Sequence, residues 1–337
     1  MRLKEARHYL EYLAAVATIK VIACCPRGLF FFLAPGVARL LWRVPQFGSV
    51  ALMNVAAAFP EKKPEEHRRI ALKSIENLFL TICEFFWTKG KKGIVQELVV
   101  STPEADATAA AAHAHEKEGV IFVSPHHGNW EFAGMTLALI YHFKVGTVVR
   151  TPRNPYLDKL ISSGRMVEGV RIIYSRGAVL GMKHALDDGY TIGTLIDQNT
   201  RVRDGGVFVN FFGLPVPVSR APAGMARRHG YFVATGAVVR DGRKFKTLFK
   251  TLPKPTSEYE SDEEMTQDLM SIAEDFIREY PEQYLWMYKR FQYIPRGADE
   301  ALIKRFPPYA APAGETFYNM KAHLEKRRRN AAKKDSA

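Results

Sequence analysis

The sequence predicts an α/β protein in which a central mixed sheet is flanked by helices and preceded by N-terminal membrane-associated helices. Two observations carry this. From Gly119 to Arg240, short apolar runs alternate with stretches of helical periodicity, the pattern of a sheet covered by helices. Ahead of them, two apolar stretches stand among basic residues and are too interrupted for ordinary membrane spans. Size agrees: 337 residues, 47% apolar and 25% charged, can bury a large core, which excludes global disorder. The chain divides into an N-terminal helical segment (1–45), a main domain (46–295) and a Pro/Ala-rich, basic tail (296–337).

The N-terminal segment reads YLAAVATIKVIACCP from Tyr12, with Lys20 in the middle, then LFFFLAPGVARLLW from Leu29 to Trp42, broken by Pro35 and Arg39. Neither run is uncharged for the roughly 18–20 residues a spanning helix needs. Two short apolar helices ringed by Arg2, Lys4, Arg7, Lys20, Arg27, Arg39 and Arg43 suit an interfacial anchor. The alternative is a buried helical pair. No cleavage site follows an uninterrupted apolar run, which argues against secretion.

ALMNVAAAFP predicts a short helix that stops before Pro60. Pro64 and the two glutamates after it open a longer one, with Ile70, Ile75, Leu78, Phe79, Ile82 and Phe86 at helical spacing. An alanine-rich helix follows between Thr102 and His115. Strands are then expected at GVIFVSP, VGTVVRTP, GVRIIYS, YTIGTLIDQNT, VFVNFFG and YFVATGAVVR. Helices are expected after HHGNWE, over 158–167, and over GAVLGMKHALDDG. Glu263–Tyr280 is amphipathic, and KRRRNAAKKDSA ends the chain as a solvated basic tail.

Lys plus Arg number 48 against 35 Asp plus Glu, a net charge of +13. Such a balance suits an anionic surface or substrate: nucleic acid, phospholipid headgroups or a phosphorylated lipid. No nucleic-acid reader motif is present, so no nucleic-acid partner is expected. No Gly-rich phosphate loop of the common types occurs. Three cysteines, two of them adjacent at 24 and 25, make no disulfide framework and fit a reducing compartment.

The sharpest signal is SPHHGNWE at 124–131, where a buried strand gives way to a helix. A turn and the first helical turn can bring His126 and Glu131 together. The Glu131 carboxylate can then accept one imidazole N–H and fix the tautomer, and the other nitrogen can take a proton from a hydroxyl. That suits acyl transfer without a serine or cysteine nucleophile. A satisfied structural histidine is the alternative, and either His126 or His127 could point inward. Metal ligation by His126, His127 and Glu131, or by His113 and His115, is a weaker rival because the zinc-protease spacing is absent. No metal or cofactor is expected.

Gly128 can supply a tight turn or a close approach to ligand. Asn129 can cap the helix or bind substrate, and Trp130 packs the loop. Arg150, Asn154 and Arg165 could hold an anionic headgroup or the phosphates of a carrier's prosthetic group, the alternative for Arg165 being a solvated face. Asp197, at the end of an apolar run, could orient the arginines or the loop. Phe211 and Phe212 could wall an acyl pocket or pack the sheet edge.

HHGNWE resembles the H-x-G-N-W-E motif of the bacterial lipid A late acyltransferases, a family of lauroyl and myristoyl transferases and related glycolipid acyltransferases. RTPRNP at 150–155, Arg165 with Gly169, LIDQN at 195–199, FVNFFG at 208–213 and IREYPEQYLWMYKRF at 277–291 match in order. The resemblance spans roughly residues 13–291. It departs where Arg150-Thr151-Pro152 stands for the common Arg-Pro, and where His127 stands for Phe or Leu.

What the resemblance implies is a glycerolipid-acyltransferase-like fold and an O-acyltransferase with His126 and Glu131 catalytic. His127, Gly128, Asn129, Arg150, Asn154, Arg165 and Asp197 would then contact substrate. The donor would be an acyl-carrier-protein thioester and the acceptor a lipid A precursor or related anionic glycolipid. The place of work would be the cytoplasmic face of a bacterial inner membrane. The alternatives are another glycolipid or aminolipid acceptor, or a non-catalytic lipid-binding membrane protein.

Overall fold

The run Val120–Ser124 carries no charge and is rich in β-branched and aromatic residues, and it forms the middle strand of a seven-stranded sheet. The computed structural model describes residues 3–91, 93–152, 154–165 and 170–325. Within them the chain runs α1 (Leu3–Cys24), α2 (Arg27–Leu41), α3 (Gly48–Ala58), α4 (Pro64–Trp87), α5 (Ile94–Leu98), β1 (Val99–Val100) and α6 (Pro103–Ala114). It continues with β2 (Val120–Ser124), α7 (Trp130–Leu139), β3 (Val145–Val149), α8 (Pro155–Arg165), β4 (Val170–Tyr174), α9 (Ala178–Asp187) and β5 (Thr191–Leu195). Then come β6 (Gly206–Phe211), β7 (Leu214–Ser219), α10 (Ala221–His229), β8 (Phe232–Asp241), β9 (Lys244–Thr251) and α11 (Asp262–Glu279).

The sheet order is β1-β9-β8-β2-β5-β3-β4. Strands β8, β2, β5, β3 and β4 are mutually parallel, and β9 runs antiparallel to β8. The sheet is therefore mixed, as the sequence predicts, but mostly parallel. Helices cover it, and the largest apolar cluster joins Ile121, Val123 and Ile192 of the sheet to Ile70, Ile75, Leu269 and Trp286.

Of the strands just named, three escape the sequence reading. KFKTLFKT forms β9, whose alternating Phe245 and Phe249 are buried. The short β1 pairs with it. LPVPVS forms β7, which pairs only with β6 in a separate two-stranded ribbon, where Pro215 and Pro217 can omit their amide donors. VFVNFFG thus belongs to a hairpin outside the main sheet. Its turn is Phe212-Gly213, with φ of +54° and +72°, the conformation of a two-residue primed turn.

Helix α1 is a single 22-residue helix and begins well before the apolar run. No described helix is long and apolar enough to cross a membrane. Helix α2 buries Phe30, Ala34 and Ala38, and Phe30 and Ala34 pack with Leu80 and Cys83 of α4, while Phe32 on its outer side is 80% exposed. Leu10, Leu13 and Val21 of α1 and Leu33 and Leu40 of α2 are exposed as well. The basic tail from Lys326 onward lies outside the described residues.

Candidate active site

Strand β2 ends at Ser124, and the chain turns through Pro125–Asn129 before α7 starts. Gly128 makes the turn possible. Its φ is +63°, and a β-carbon there would lie 2.1 Å from the Val238 carbonyl oxygen, so only glycine fits. The Gly128 carbonyl accepts from Asn77 Nδ2 at 2.9 Å and Thr81 Oγ1 at 3.1 Å, and its N–H donates to the Gln283 carbonyl at 3.0 Å. Asn129 is fully buried and caps α7: its Oδ1 accepts the Phe132 N–H at 3.1 Å, and its own N–H donates to the Val238 carbonyl at 2.7 Å. Both residues shape the loop, and neither lines the cavity described below.

The two histidines go opposite ways. His127 is 0% exposed, and its Nε2–H donates to the Tyr280 carbonyl at 3.0 Å. Burial pushes its imidazole down to about 4, against the opposing pull of the Tyr280 carbonyl and the Asp197 and Glu279 charges. It is a neutral structural histidine and does not line the cavity described below, so the substrate-contact role expected of it has no geometric basis.

His126 faces the cavity beside the Trp130 ring, with ring centroids 5.5 Å apart. The carboxylate on its Nδ1 is Asp197, at 2.6 Å, and the other Asp197 oxygen accepts the His126 backbone N–H at 2.9 Å. The position that the sequence reading gave to Glu131 is thus occupied by Asp197. The topology explains this. β2 and β5 are adjacent and parallel, so His126, two residues past β2, meets Asp197, two residues past β5. Glu131 instead lies in the first turn of α7 and lines the cavity wall.

Asp197 is almost fully buried, which by itself would raise its pKa. The His126 charge, the two hydrogen bonds from His126 and the Arg290 charge outweigh this and hold the carboxyl below the usual range. Tyr284 is buried nearby, and burial followed by the Asp197 charge holds its hydroxyl well above the usual range. Arg290 is buried with it and donates to Asn199 Oδ1 at 2.5 Å. With Nδ1–H given to Asp197, Nε2 is left as the basic nitrogen, and the Gln198 amide donates to it at 3.2 Å.

A cavity of about 650 Å³ is lined by His126. Its mouth carries Arg150, Pro152, Gln198, Asn199 and Thr200, and its interior runs between α7 and the sheet past Phe122, Leu137, Val148 and Phe249. Polar groups at the entrance and an apolar interior suit an amphiphile whose reacting carbon stops at the histidine.

Over residues 1–293 the sequence matches the family described as bacterial lipid A biosynthesis acyltransferase. The chain belongs to that family. It is similar to a lipid A biosynthesis lauroyltransferase of Escherichia coli (strain K12), 24% identical over 300 residues that cover 86% of this chain and 94% of the relative. A palmitoleoyltransferase of the same strain is 25% identical over 264 residues, 76% of this chain and 82% of the relative. A lipid A biosynthesis acyltransferase of Shigella flexneri gives the same figures, 25% over 264 residues.

The acyltransferase geometry redistributes the remaining candidates. Arg150 is exposed at the cavity mouth. Asn154 is not there: its Oδ1 accepts from the Tyr156 N–H at 3.0 Å, and its Nδ2 donates to the His8 carbonyl and to Glu11, both at 2.9 Å. It starts α8 and fastens α1 to it. Arg165 ends α8, and its side chain and Gly169 lie outside the described residues. Phe211 and Phe212 are core residues, packed on Trp286, Tyr284 and Phe59, because the hairpin turn carries them away from the sheet. The apolar walls come instead from β2, β3, β9 and α7. Gln198 and Tyr284 also escaped the sequence reading as site residues, although both stand inside its quoted motifs.

Proposed function

We propose that the protein moves a fatty acyl group from an acyl-carrier-protein thioester to a hydroxyl of a lipid A precursor or closely related glycolipid, at the cytoplasmic face of the inner membrane. The observation that carries this reading is the Asp197–His126 contact at 2.6 Å beside a cavity that is polar at its mouth and apolar within. The names of the relatives, lauroyl- and palmitoleoyltransferases of lipid A biosynthesis, supply the substrate class. The net charge of +13 favours an acidic carrier protein and an anionic acceptor.

In this mechanism the acyl chain lies between α7 and the sheet, and its thioester carbonyl stops near His126. The acceptor enters past Arg150, whose guanidinium meets the anionic headgroup. Nε2 exchanges its hydrogen bond with Gln198 for one to the acceptor hydroxyl. It removes the proton as the oxygen attacks the carbonyl carbon. Asp197 keeps the tautomer and balances the imidazolium, and Glu131, on the cavity wall, adds negative potential near the same ring. The tetrahedral intermediate collapses, the C–S bond breaks, and the imidazolium returns its proton to the departing thiolate. The ester and a free thiol are the products.

The test is transfer from labelled acyl-carrier-protein to a purified lipid A precursor, read by product mass. His126→Ala should lose about 10²–10⁴-fold in rate with an unchanged melting temperature. Glu131→Gln should be impaired, and less so than His126→Ala. Tight lipid binding without turnover by the unaltered protein would favour the non-catalytic alternative. A mass gain of one acyl group on a different glycolipid or aminolipid would keep the chemistry and change the acceptor.

A further inference from the structure

At two glycines beside the cavity neither backbone conformation nor crowding requires glycine. Gly134 lies inside α7 and Gly193 inside β5, and neither has a positive φ. A β-carbon at Gly134 would meet only Thr147 Oγ1, at 3.5 Å. At Gly193 it would meet Val145 Cγ1 at 3.5 Å and Thr147 Oγ1 at 3.9 Å. These are ordinary contacts. Gly128 with the Val238 carbonyl oxygen at 2.1 Å, and Gly236 with Phe249 at 2.7 Å, are different, because there backbone or packed ring leaves no room. In a helix or strand interior, glycine destabilises relative to alanine through lost backbone entropy. Folding alone therefore disfavours glycine at 134 and 193.

Their position supplies the reason. Phe122, Gly193 and Thr147 stand side by side across β2, β5 and β3, and all three line the cavity. Gly134 lies over Thr147 from the α7 side, next to Ala133. Gly193, Thr194 and Leu195 are only half-buried although β5 is an interior strand, because the cavity takes the place of packing there. Phe122 flanks the passage at this level, and Leu137, about one helical turn on from Gly134, lines it as well. The bare floor at Gly193 and the bare roof at Gly134 set its bore.

We propose that Gly134 and Gly193 are the chain-length determinants of this site: their missing β-carbons keep the passage between α7 and β5 open to the distal part of a long, unbranched, saturated fatty chain. The assignment rests on the acyl-transfer reading above for its biological sense, but it is a statement about which chains fit. Side chains added here are accepted by the fold and shorten what the cavity takes.

The experiment uses the full-length protein and saturated fatty acids graded from eight to eighteen carbons, with affinity read by displacement of a fluorescent fatty acid. Gly193→Val and Gly134→Ala should weaken the longest chains that bind the unaltered protein by about tenfold or more, and leave the shortest within about twofold. Melting temperatures should hold or rise. Gly193→Ala, which adds a single carbon, should give a smaller shift in the same direction and serves if the valine variant does not fold. In acyl-transfer assays, kcat/KM across donor lengths should follow the binding order. Stable variants that bind the full series like the unaltered protein would overturn the proposal. A graded binding series shortened by the variants, in a protein that transfers no acyl group, would leave the gauge standing and remove the transfer reading.

Discussion

Asp197 holds His126 by two atoms at once, Oδ1 on the ring Nδ1 at 2.6 Å and Oδ2 on the backbone N–H at 2.9 Å. The double contact fixes the position of the loop and the tautomer of the ring together. Asp197→Asn should keep the first function better than the second. Its amide can donate to Nδ1, which leaves the proton on Nε2, where a base is needed. Acyl transfer should fall by about 10²–10⁴-fold, with KM changing far less than kcat and the fold retained. A variant with kcat within about threefold of the unaltered protein would mean that the tautomer is set elsewhere, and that Glu131 is the carboxylate to examine.

Much of this was legible in the sequence. The strand–helix alternation located β2, β3, β4, β5 and β8 because their apolar runs are short and bounded by turn residues. His126 stood out because a buried strand ends just before it. What was not legible is what the topology brings together. Asp197 is 71 residues from His126, and only the pairing of β2 with β5 makes them neighbours, whereas Glu131 was near in sequence and attracted the assignment. FFG could be read as pocket or core, and the positive φ at Phe212 and Gly213, which decides for a hairpin, leaves no composition signal beyond the glycine. The cavity walls come from six strands and two helices, so no local window contains them.

The loop that carries His126 leans on a buried charge cluster. Glu84 of α4 has no exposed side-chain surface and takes Arg27 Nη2 at 2.6 Å and Arg240 Nη2 at 2.7 Å. It also accepts from Asn129 Nδ2 at 3.4 Å. It thus joins α2, α4, β8 and the cap of α7. Glu84→Gln leaves two guanidinium groups in a dry site without their counter-charge, and removal of one partner from a buried pair costs about 3–5 kcal/mol. Urea unfolding should show a loss of that order, with acyl transfer falling at temperatures where the variant is still folded. A loss under about 1 kcal/mol would show that water reaches these charges readily.

The outer sides of α1 and α2 give the membrane-contact proposal a direct test. Phe32 and Leu40 are 80% and 62% exposed, while Phe30, Ala34 and Ala38 hold the inner side of α2 in place. Deleting residues 1–45 would therefore strip core packing as well as the surface. The double variant Phe32→Ser, Leu40→Ser avoids this. Each side chain is worth about 1.5–3 kcal/mol when buried in an apolar phase. Partition into anionic vesicles should fall at least about tenfold, with melting in detergent-free buffer unchanged. Equal partition of the variant, abolished by high salt, would assign attachment to the basic surface alone.

His127 makes stability depend on acidity in a calculable window. Its folded-state pKa is about 4 and an unfolded histidine titrates near 6.5. Between those values the unfolded chain binds a proton that the native protein refuses, so stability falls as pH falls from about 6.5 and levels off near 4. About 2.5 pH units at 1.36 kcal/mol each is a loss of about 3 kcal/mol across the window. Asp197, held below the usual carboxylate range, has the same sign but contributes below this window. His127→Gln preserves a donor for the Tyr280 carbonyl and cannot take up the proton. Its unfolding free energy at pH 7 should lie within about 1–2 kcal/mol of the unaltered protein, and its slope between pH 6.5 and 4 should be flatter by the histidine's share. Denaturant unfolding at half-unit pH steps measures both. An equally steep acid limb in the variant would mean that protons enter elsewhere, and that His127 is hydrated in the folded protein.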